Sequence, residues 1–368
     1  MQTTILSADK IFTGEEWLTD VAVVTEAGKI KSLVPIPSLD ENIKLKKFDG
    51  CFLAPAFIDI QLYGAHKKLL AVHPSPETLA LIDDYCRTGG AVLFLPTVAT
   101  NTKEVFYKCI DAVRAYWNQG GKGVYGLHLE GPWLNKEKKG AHIESLIHSP
   151  SLDEVKELLD YGKGVIKLIT LAPEVCSSEV VELIKSHNIV ISAGHSNASF
   201  EEATAAFNKG ITTVTHLYNA MSPLQHRAPG LVGAVLAHDK IKSSIIADGY
   251  HVDFSAIKIA KAIMKERLFV ITDAVTETNE GYYQHQLKGD KYESNGILSG
   301  SAITMHGSFL NLVNKVEIEI GEALRMCSLY PAQAIGCDHL YGKIAPGYAA
   351  QFVAINKNQL TLAELLTL

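Results

Sequence analysis

Four side chains that can bind a metal ion or transfer a proton each stand at or just after the end of a short apolar segment. Two histidines and one carboxylate, with a fourth position left open, are a known ligand set for a catalytic zinc or a similar divalent ion. Taken singly, each residue also has a structural explanation, because a buried histidine can bond a backbone carbonyl and a strand-end carboxylate can cap a helix. Their joint placement favours a metal site. The four residues are Glu130, His195, His216 and Asp273.

These residues can meet only if the apolar segments before them are strands of one sheet. Short, almost wholly apolar runs alternate here with amphipathic stretches, which is typical of a buried parallel sheet covered by helices. Eight such runs with helical crossovers predict an α/β fold with a (β/α)8 TIM-type barrel rather than a doubly wound sheet. The strand ends of a barrel share one face, so the four residues should converge there. The predicted strands are 51–60, 91–96, 124–130, 165–170, 189–194, 212–217, 243–247 and 268–272.

Both ends of the chain have a different pattern from the middle. The first 50 residues alternate short β-prone runs with turn residues, and the last segment returns to this style with a turn at Gly347 and a strand-like run at 351–355. We expect the two ends to pair into a small β-sandwich domain. The predicted domains are therefore 1–50 and 340–368 for the small β domain and 51–339 for the barrel.

Composition excludes several classes of protein. The 368 residues are 47% hydrophobic and 20% charged, as in an ordinary globular protein, and 34 basic against 40 acidic residues give a net charge of −6. No run of lysine or arginine could neutralise a track of phosphates, so we expect no nucleic-acid partner. No apolar stretch approaches 18 residues, so we expect no membrane partner. Six cysteines without a C-x-x-C spacing indicate reduced thiols and a cytoplasmic location.

Further motifs occur in order along the predicted barrel, at 128–132, 138–142, 194–198, 215–230, 247–252 and 298–305. The segment THLYNAMSPLQHRAPG at 215–230 is the most specific of them. Together they resemble the N-acetylglucosamine-6-phosphate deacetylases of the amidohydrolase superfamily. The resemblance implies a metal-dependent hydrolase that converts N-acetyl-D-glucosamine 6-phosphate to D-glucosamine 6-phosphate and acetate.

The resemblance also implies roles for single residues. Glu130, His195 and His216 would bind one divalent ion per subunit, with zinc as the first choice and iron, cobalt or manganese as alternatives, since all of them accept histidine and carboxylate ligands. Asp273 would act as general base and then acid, and His142 would help to polarise the acetyl carbonyl. The residues expected to contact the sugar phosphate are Ala141, His142, Asn219, Ala220, Arg227, Asp248, His251, Leu298, Ser299 and Gly300.

The chemistry of amide hydrolysis agrees with these roles. It needs a nucleophile stronger than water, a group that neutralises the oxyanion, and a proton for the departing amine. A metal-bound hydroxide would supply the first, the metal with His142 the second, and Asp273 the third. Arg227 suits a dianionic phosphate because its planar fork donates two parallel hydrogen bonds. In the family this arginine serves the neighbouring subunit's site, which implies a homodimer or homotetramer.

The chain departs from the superfamily at the end of its first barrel strand. A His-x-His pair that binds a second metal is common at that place, but here the segment 59–64 reads DIQLYG. Gln61 offers no imidazole nitrogen, so we predict a single metal. Gln61 itself could hold a water or a sugar hydroxyl, or it could have a packing role. The segment 65–74 also lacks the glycine-rich continuation of the family, which bears on the shape of a loop that borders the active site.

Two alternatives to this function remain, namely a different substrate and a protein without catalytic activity. The same mechanism can act on another N-acetyl amino sugar phosphate, such as N-acetylgalactosamine 6-phosphate, because the sequence does not resolve the orientation of one hydroxyl. A barrel of this kind can also lose catalysis and serve as a binding protein. The intact set of Glu130, His195, His216 and Asp273 argues against the second alternative.

Overall fold

The apolar runs of this chain form strands, and most of the stretches between them form helices. The structure is a computed structural model that describes residues 3–40, 44–294 and 296–368. The strands in these ranges are β1 (Thr3–Phe12), β2 (Trp17–Leu18), β3 (Val21–Glu26), β4 (Lys29–Pro35), β5 (Leu45–Pro55), β6 (Phe57–Leu62), β7 (Gly64–Ala65), β8 (Lys68–Leu69), β9 (Ala91–Ala99), β10 (Leu127–Glu130), β11 (Ile166–Leu171), β12 (Val190–Ala193), β13 (Thr213–Val214), β14 (Lys242–Ile246), β15 (Leu268–Ile271), β16 (Gln286–Lys288), β17 (Lys291–Ser294), β18 (Ile297–Ser301), β19 (Gln351–Asn356) and β20 (Leu362–Thr367). The helices are α1 (Pro76–Thr88), α2 (Lys103–Asn118), α3 (Leu152–Tyr161), α4 (Ser178–Ser186), α5 (Phe200–Asn208), α6 (Gly230–Ala237), α7 (Phe254–Met264), α8 (Met305–Asn314), α9 (Ile320–Cys327) and α10 (Leu329–Ala334).

Eight parallel strands form the central sheet, in the order β6, β9, β10, β11, β12, β13, β14 and β15. The first and last strands meet where the N–H of Tyr63 donates to the carbonyl of Ala274 at 2.8 Å and the N–H of Asp273 donates to the carbonyl of Gln61 at 2.9 Å. All nine residues of β9 are buried, as expected for a strand covered on both faces. The predicted barrel is therefore confirmed.

Local sequence signals fix where the barrel helices begin. The hydroxyl of Ser75 accepts the N–H of Thr78 and Pro76 occupies the first turn of α1. Helix α5 begins with a capping box, in which Ser199 and Glu202 each accept the other's backbone N–H. These caps set the length of the loops that precede the helices. In the described ranges, no helix combines the length and the apolar character needed to cross a bilayer.

The two ends of the chain form a separate seven-stranded sheet. Its order is β20, β19, β5, β1, β3 and β4, with β2 paired to β1, and its core includes Leu6, Val23 and Phe352. The expected β domain is present, and its strands are joined in one hydrogen-bonded sheet. The predicted strand 51–60 is wrong as a single element. The N–H of Ala56 bonds to the carbonyl of Gln351, whereas the N–H of Phe57 bonds to the carbonyl of Gly90, so the chain changes sheets at this point.

Two small β insertions lie next to the ends of the barrel strands. Strands β7 and β8 form a hairpin directly after β6, and β16, β17 and β18 form a three-stranded antiparallel sheet after β15. Leu69 of the hairpin and Tyr283, just before β16, pack together with Ala99 at the end of β9. The three-stranded sheet was not predicted. These insertions bring further side chains to the mouth of the barrel. The pattern of strand ends does not predict those side chains there.

Candidate active site

Three of the four chemistry-bearing residues converge on one point at the carboxyl ends of the barrel strands. Glu130 is the last residue of β10, and His195 and His216 each lie two residues after the end of a strand. Oε1 of Glu130 is 3.1 Å from Nε2 of His216 and 3.3 Å from Nε2 of His195. The two Nε2 atoms are 3.1 Å apart. All three side chains are buried and can hold a metal ion together.

The geometry of this triad fits a small divalent cation. Ligand atoms about 2.0–2.2 Å from a tetrahedral zinc are roughly 3.3–3.5 Å from one another, close to the separations found here. Nδ1 of His195 donates to the carbonyl of Lys138 at 2.9 Å, since a carbonyl only accepts. The neutral ring therefore keeps its lone pair on Nε2, which faces Glu130 and His216. The donor set suits a catalytic metal and leaves room for a further ligand.

Asp273 lies beside the triad, two residues after the end of β15. Its Oδ1 accepts a hydrogen bond of 2.7 Å from Nε2 of Gln61 and one of 3.1 Å from the hydroxyl of Tyr63. Burial, together with the charge of Glu130, raises the pKa of Asp273 above that of an ordinary carboxyl. Burial also acts to raise the pKa of Glu130, but the imidazoles of His195 and His142 outweigh it and hold that pKa well below the usual value. The two carboxyls are thus separated in basicity, as acid–base pairs in active sites often are.

The backbone bends sharply at three of these positions. His195, His216 and Asp273 have φ angles of 47°, 36° and 54°, in the left-handed region that residues other than glycine rarely adopt. Such conformations persist where the surrounding structure imposes them, and they are concentrated at functional sites.

His142 is a further polar residue that lines the site beside Glu130. Its Nε2 is 3.2 Å from Oε2 of Glu130, and its Nδ1 accepts the backbone N–H of Thr100 at 3.3 Å. An N–H group can only donate, so the neutral ring must carry its proton on Nε2. Burial, with the nearby His195, lowers the pKa of His142 to about 4, so the ring is neutral at pH 7. The neutral N–H therefore faces Oε2 of Glu130 at the edge of the cavity.

One cavity lies over the triad and collects most of the residues expected at the substrate. It is bordered by Asp273 and by the three residues of the triad. The other predicted residues that line it are Ala141, His142, Asn219, Ala220, His251, Leu298, Ser299 and Gly300.

Two of the predicted residues do not line this cavity. Asp248 lies behind His251, whose Nδ1 is 2.6 Å from Oδ2 of the aspartate. The N–H groups of Tyr250 and His251 donate to Oδ1 of Asp248, so the carboxylate holds this turn in place. Arg227 lies in the exposed segment 223–228 and does not reach the cavity of its own chain.

Three further residues of the site carry no predicted role. Tyr63 lies at the end of the first barrel strand, two residues after Gln61, and period-two alternation is the signal that would have placed both side chains on one face. Tyr283 donates its hydroxyl to the carbonyl of Thr100 at 2.7 Å, and Nδ1 of His285 is 2.9 Å from the hydroxyl of Ser299. Both line the cavity from a segment without barrel periodicity, so no sequence pattern marks them.

The atypical segment 65–74 forms the β7–β8 hairpin and the turn after it. Leu69 and Ala71 line the cavity, whereas Lys67 is exposed, with Nζ 3.9 Å from Glu277. Lys68 turns towards His73, at 3.4 Å between Nζ and Nε2. The hairpin therefore adds an apolar wall to the site, and its two lysines lie outside the cavity lining.

Comparison with known proteins agrees with this architecture. The model of the amidohydrolase family matches residues 52–367, and the model of the NagA composite domain matches residues 6–53. An N-acetylglucosamine-6-phosphate deacetylase of Haemophilus influenzae is 35% identical over 359 residues, which cover 95% of this chain and 94% of that protein. An N-acetylgalactosamine-6-phosphate deacetylase of Escherichia coli O157:H7 is 29% identical over 365 residues, which cover 96% of this chain and 95% of that protein.

A solved structure supports the same assignment. The crystal structure of N-acetylglucosamine-6-phosphate deacetylase from Pasteurella multocida superposes with a TM-score of 0.93 at 35% identity, covering 100% of this chain and 98% of that chain. Both the barrel and the terminal sheet are included in that coverage. The chain therefore belongs to the N-acetylglucosamine-6-phosphate deacetylase family of the amidohydrolases and is a hydrolase that acts on amides.

Proposed function

We propose that this chain hydrolyses the acetamide of N-acetyl-D-glucosamine 6-phosphate to D-glucosamine 6-phosphate and acetate. The observation that carries the proposal is the meeting of Glu130, His195 and His216 within 3.1–3.3 Å of one another, beside Asp273. The Haemophilus influenzae relative, named for this activity, is similar over nearly its whole length.

Glu130, His195 and His216 would hold one divalent cation, with zinc as the first choice. Such a cation supplies a nucleophilic water at neutral pH and a Lewis acid for the carbonyl oxygen. Asp273 takes the proton of the attacking water and later returns it to the departing amine. Gln61 donates to its Oδ1 and the hydroxyl of Tyr63 lies 3.1 Å from the same oxygen, which leaves Oδ2 for this proton.

His142 acts on the other reacting atom. Its Nε2–H donates to the carbonyl oxygen of the acetamide, where negative charge develops as the tetrahedral species forms. The N–H of Thr100 keeps this tautomer in place, and the acetamide oxygen would take over the N–H that faces Oε2 of Glu130 in the free site. Because its lowered pKa makes the ring a weak base, it stabilises the oxyanion by a hydrogen bond without competing for the proton that Asp273 carries.

The sugar phosphate would lie against the polar residues on the far side of the cavity. His251, Asn219, Ala220 and the segment 298–300 line the cavity. Arg227 is exposed in its own chain, which supports a role at a neighbouring subunit's site in a homodimer or homotetramer. The six cysteines are unpaired, which supports a cytoplasmic enzyme.

A second substrate is favoured by one finding. The Escherichia coli O157:H7 relative, whose name specifies N-acetylgalactosamine 6-phosphate, aligns with 96% of this chain. The two sugars differ only in the orientation of one hydroxyl, so the same catalytic groups can serve both.

The test is acetate release by the purified full chain, measured with both sugar 6-phosphates and with N-acetylglucosamine that lacks the phosphate. We expect the highest kcat/KM for the gluco 6-phosphate, loss of turnover after treatment with a chelator, and recovery on adding zinc. A higher kcat/KM for the galacto substrate would change the sugar assignment. No acetate from any of the three by metal-loaded protein would overturn the proposed function and favour a binding protein.

A further inference from the structure

Tyr63 occupies a central place in the site, although neither its sequence motif nor the reaction gives it a role. It follows the last residue of β6, and its backbone N–H bonds to Ala274 across the closure of the barrel. Its ring packs against the small apolar cluster of Leu69, Ala99 and Tyr283. The phenol is therefore anchored at both ends, by the barrel backbone and by the packing of its ring.

The hydroxyl of Tyr63 links the metal-binding carboxylate to the general base. It accepts the amide N–H of Gln61 at 2.8 Å, and it donates to Oε2 of Glu130 at 2.5 Å. Oδ1 of Asp273 is a more distant acceptor at 3.1 Å. A phenol has one proton, so the short contact identifies Glu130 as its main partner.

This hydrogen bond gives the two oxygens of Glu130 different partners. Oε2 receives the hydroxyl of Tyr63 and lies 3.2 Å from Nε2 of His142. Oε1 faces His195 and His216. Nε2 of Gln61 is also 3.1 Å from Oε1, but its two protons have nearer acceptors in Oδ1 of Asp273 at 2.7 Å and the hydroxyl of Tyr63 at 2.8 Å. A carboxylate can bind a metal through one oxygen or through both. With Oε2 engaged, Oε1 would be the oxygen that holds a cation together with the two histidines, which would leave a place for a reacting water.

Partners outside the ligand set commonly tune a metal site in this way. Hydrogen bonds to a ligating carboxylate orient it, and removing one typically reduces metal affinity or activity by about 10- to 100-fold. A tyrosine with a purely structural role would change the free energy of unfolding without changing the metal site. Metal affinity therefore separates the two roles.

We propose that Tyr63 is a positioning residue for the metal site, which holds Glu130 through Oε2 so that the carboxylate binds the cation through Oε1 alone. The inference rests on the proposed function only for its effect on turnover. Its effect on metal binding concerns the chain by itself.

The test compares Tyr63→Phe with wild type and with Tyr85→Phe. Tyr85 lies on α1 and donates its hydroxyl to the carbonyl of Ile303 at 3.0 Å, so this control also loses one tyrosine hydrogen bond but lies outside the cavity. The apparent Kd for zinc is measured by competition with a chromogenic chelator. Visible spectra of the cobalt-loaded proteins report the ligand geometry.

We expect Tyr63→Phe to raise the Kd for zinc by about tenfold or more, to alter the cobalt spectrum and to lower kcat with little change in KM. Tyr85→Phe should match wild type in Kd and spectrum. An unchanged Kd and spectrum in a folded Tyr63→Phe protein would overturn the inference, whatever its turnover. If wild type releases no acetate, the proposed function fails, but the zinc and cobalt measurements still decide the role of Tyr63.

Discussion

Thr272 donates its hydroxyl to Oδ2 of Asp59 at 2.5 Å, joining the end of the last barrel strand to the first strand. The other oxygen, Oδ1, accepts the backbone N–H groups of Thr272 at 3.2 Å and of Gln61 at 3.3 Å. The carboxyl is fully buried, and this burial, against the opposing effect of the hydrogen bonds from Thr272, raises its pKa to about 7. One of the contacts between the first and last barrel strands thus depends on a group that titrates near neutral pH.

The first prediction concerns the pH dependence of stability. Between pH 4 and 7 the folded protein keeps a proton on Asp59 that the unfolded chain releases, so raising the pH weakens the folded state by roughly 1.4 kcal/mol per unit. The stabilisation is complete below the unfolded pKa and is lost as the pH rises through about 7. Asp59→Asn mimics the protonated carboxyl and does not titrate.

We therefore expect the free energy of unfolding of Asp59→Asn to improve relative to wild type as the pH increases from 4.5 to 7.5. Urea unfolding followed by circular dichroism at several pH values measures this difference. Asp290→Asn, in the exposed turn between β16 and β17, is the control and should keep a constant difference from wild type. A constant difference for Asp59→Asn as well would show that Asp59 is ionised throughout this range.

The second prediction tests proton transfer by Asp273. Asparagine has nearly the same size but cannot take or return a proton, so Asp273→Asn should lower kcat by about 10²- to 10⁴-fold. The amide keeps an oxygen for the hydrogen bond from Gln61, and the three residues proposed to bind the metal are unchanged. Zinc content and KM should therefore stay close to wild type. A variant that turns over at the wild-type rate would remove Asp273 from its role.

The third prediction tests the neutral donor at His142. Removing one hydrogen bond to a developing oxyanion typically costs about 10²–10³ in kcat, so His142→Ala should fall in that range with zinc still bound. Its Nδ1 contact with Thr100 means that the donor nitrogen is Nε2, which alanine does not replace. Single-turnover kinetics and metal analysis measure both effects. Full loss of zinc from His142→Ala would instead make His142 a ligand.

Much of the barrel could be predicted because buried parallel strands are continuous apolar runs. Seven of the eight predicted runs overlap a single barrel strand, the run 51–60 spans β5 and the barrel strand β6, and the carboxyl ends of barrel strands share one face. Glu130, His195, His216 and Asp273 could therefore be grouped from the chain alone. The same property hides a change of sheet, because β5 and β6 are both apolar and only their hydrogen-bond partners differ.

The remaining parts of the site depend on tertiary packing. Tyr283 and His285 come from a segment whose three-stranded sheet has no barrel periodicity, and they reach the cavity only because that sheet folds over the strand ends. Tyr63 follows the strand pattern, but from the sequence a tyrosine among apolar residues is interpreted as a residue of the hydrophobic core. Its role becomes visible only when Glu130, Gln61 and Asp273 surround its hydroxyl.

The fourth prediction concerns the exposed Arg227 and its proposed action on a neighbouring subunit. If it binds the phosphate, Arg227→Ala should raise KM for the 6-phosphate substrate by about tenfold or more with a smaller change in kcat, since a charged hydrogen-bond pair is lost. Lys163→Ala is the control, because this exposed lysine lies in the loop that enters β11, at the opposite end of the barrel strands.

Mixing Arg227→Ala with Asp273→Asn subunits tests the action between chains. In a mixed dimer, the site with an intact Asp273 receives an intact Arg227 from its partner, so one of the two sites regains full function. Random exchange of equal amounts should restore about a quarter of all sites, well above the sum of the two separate variants. Activity is measured at low substrate concentration after subunit exchange. If the arginine serves the cavity of its own chain, each subunit stays defective and the mixture gains nothing over the separate proteins.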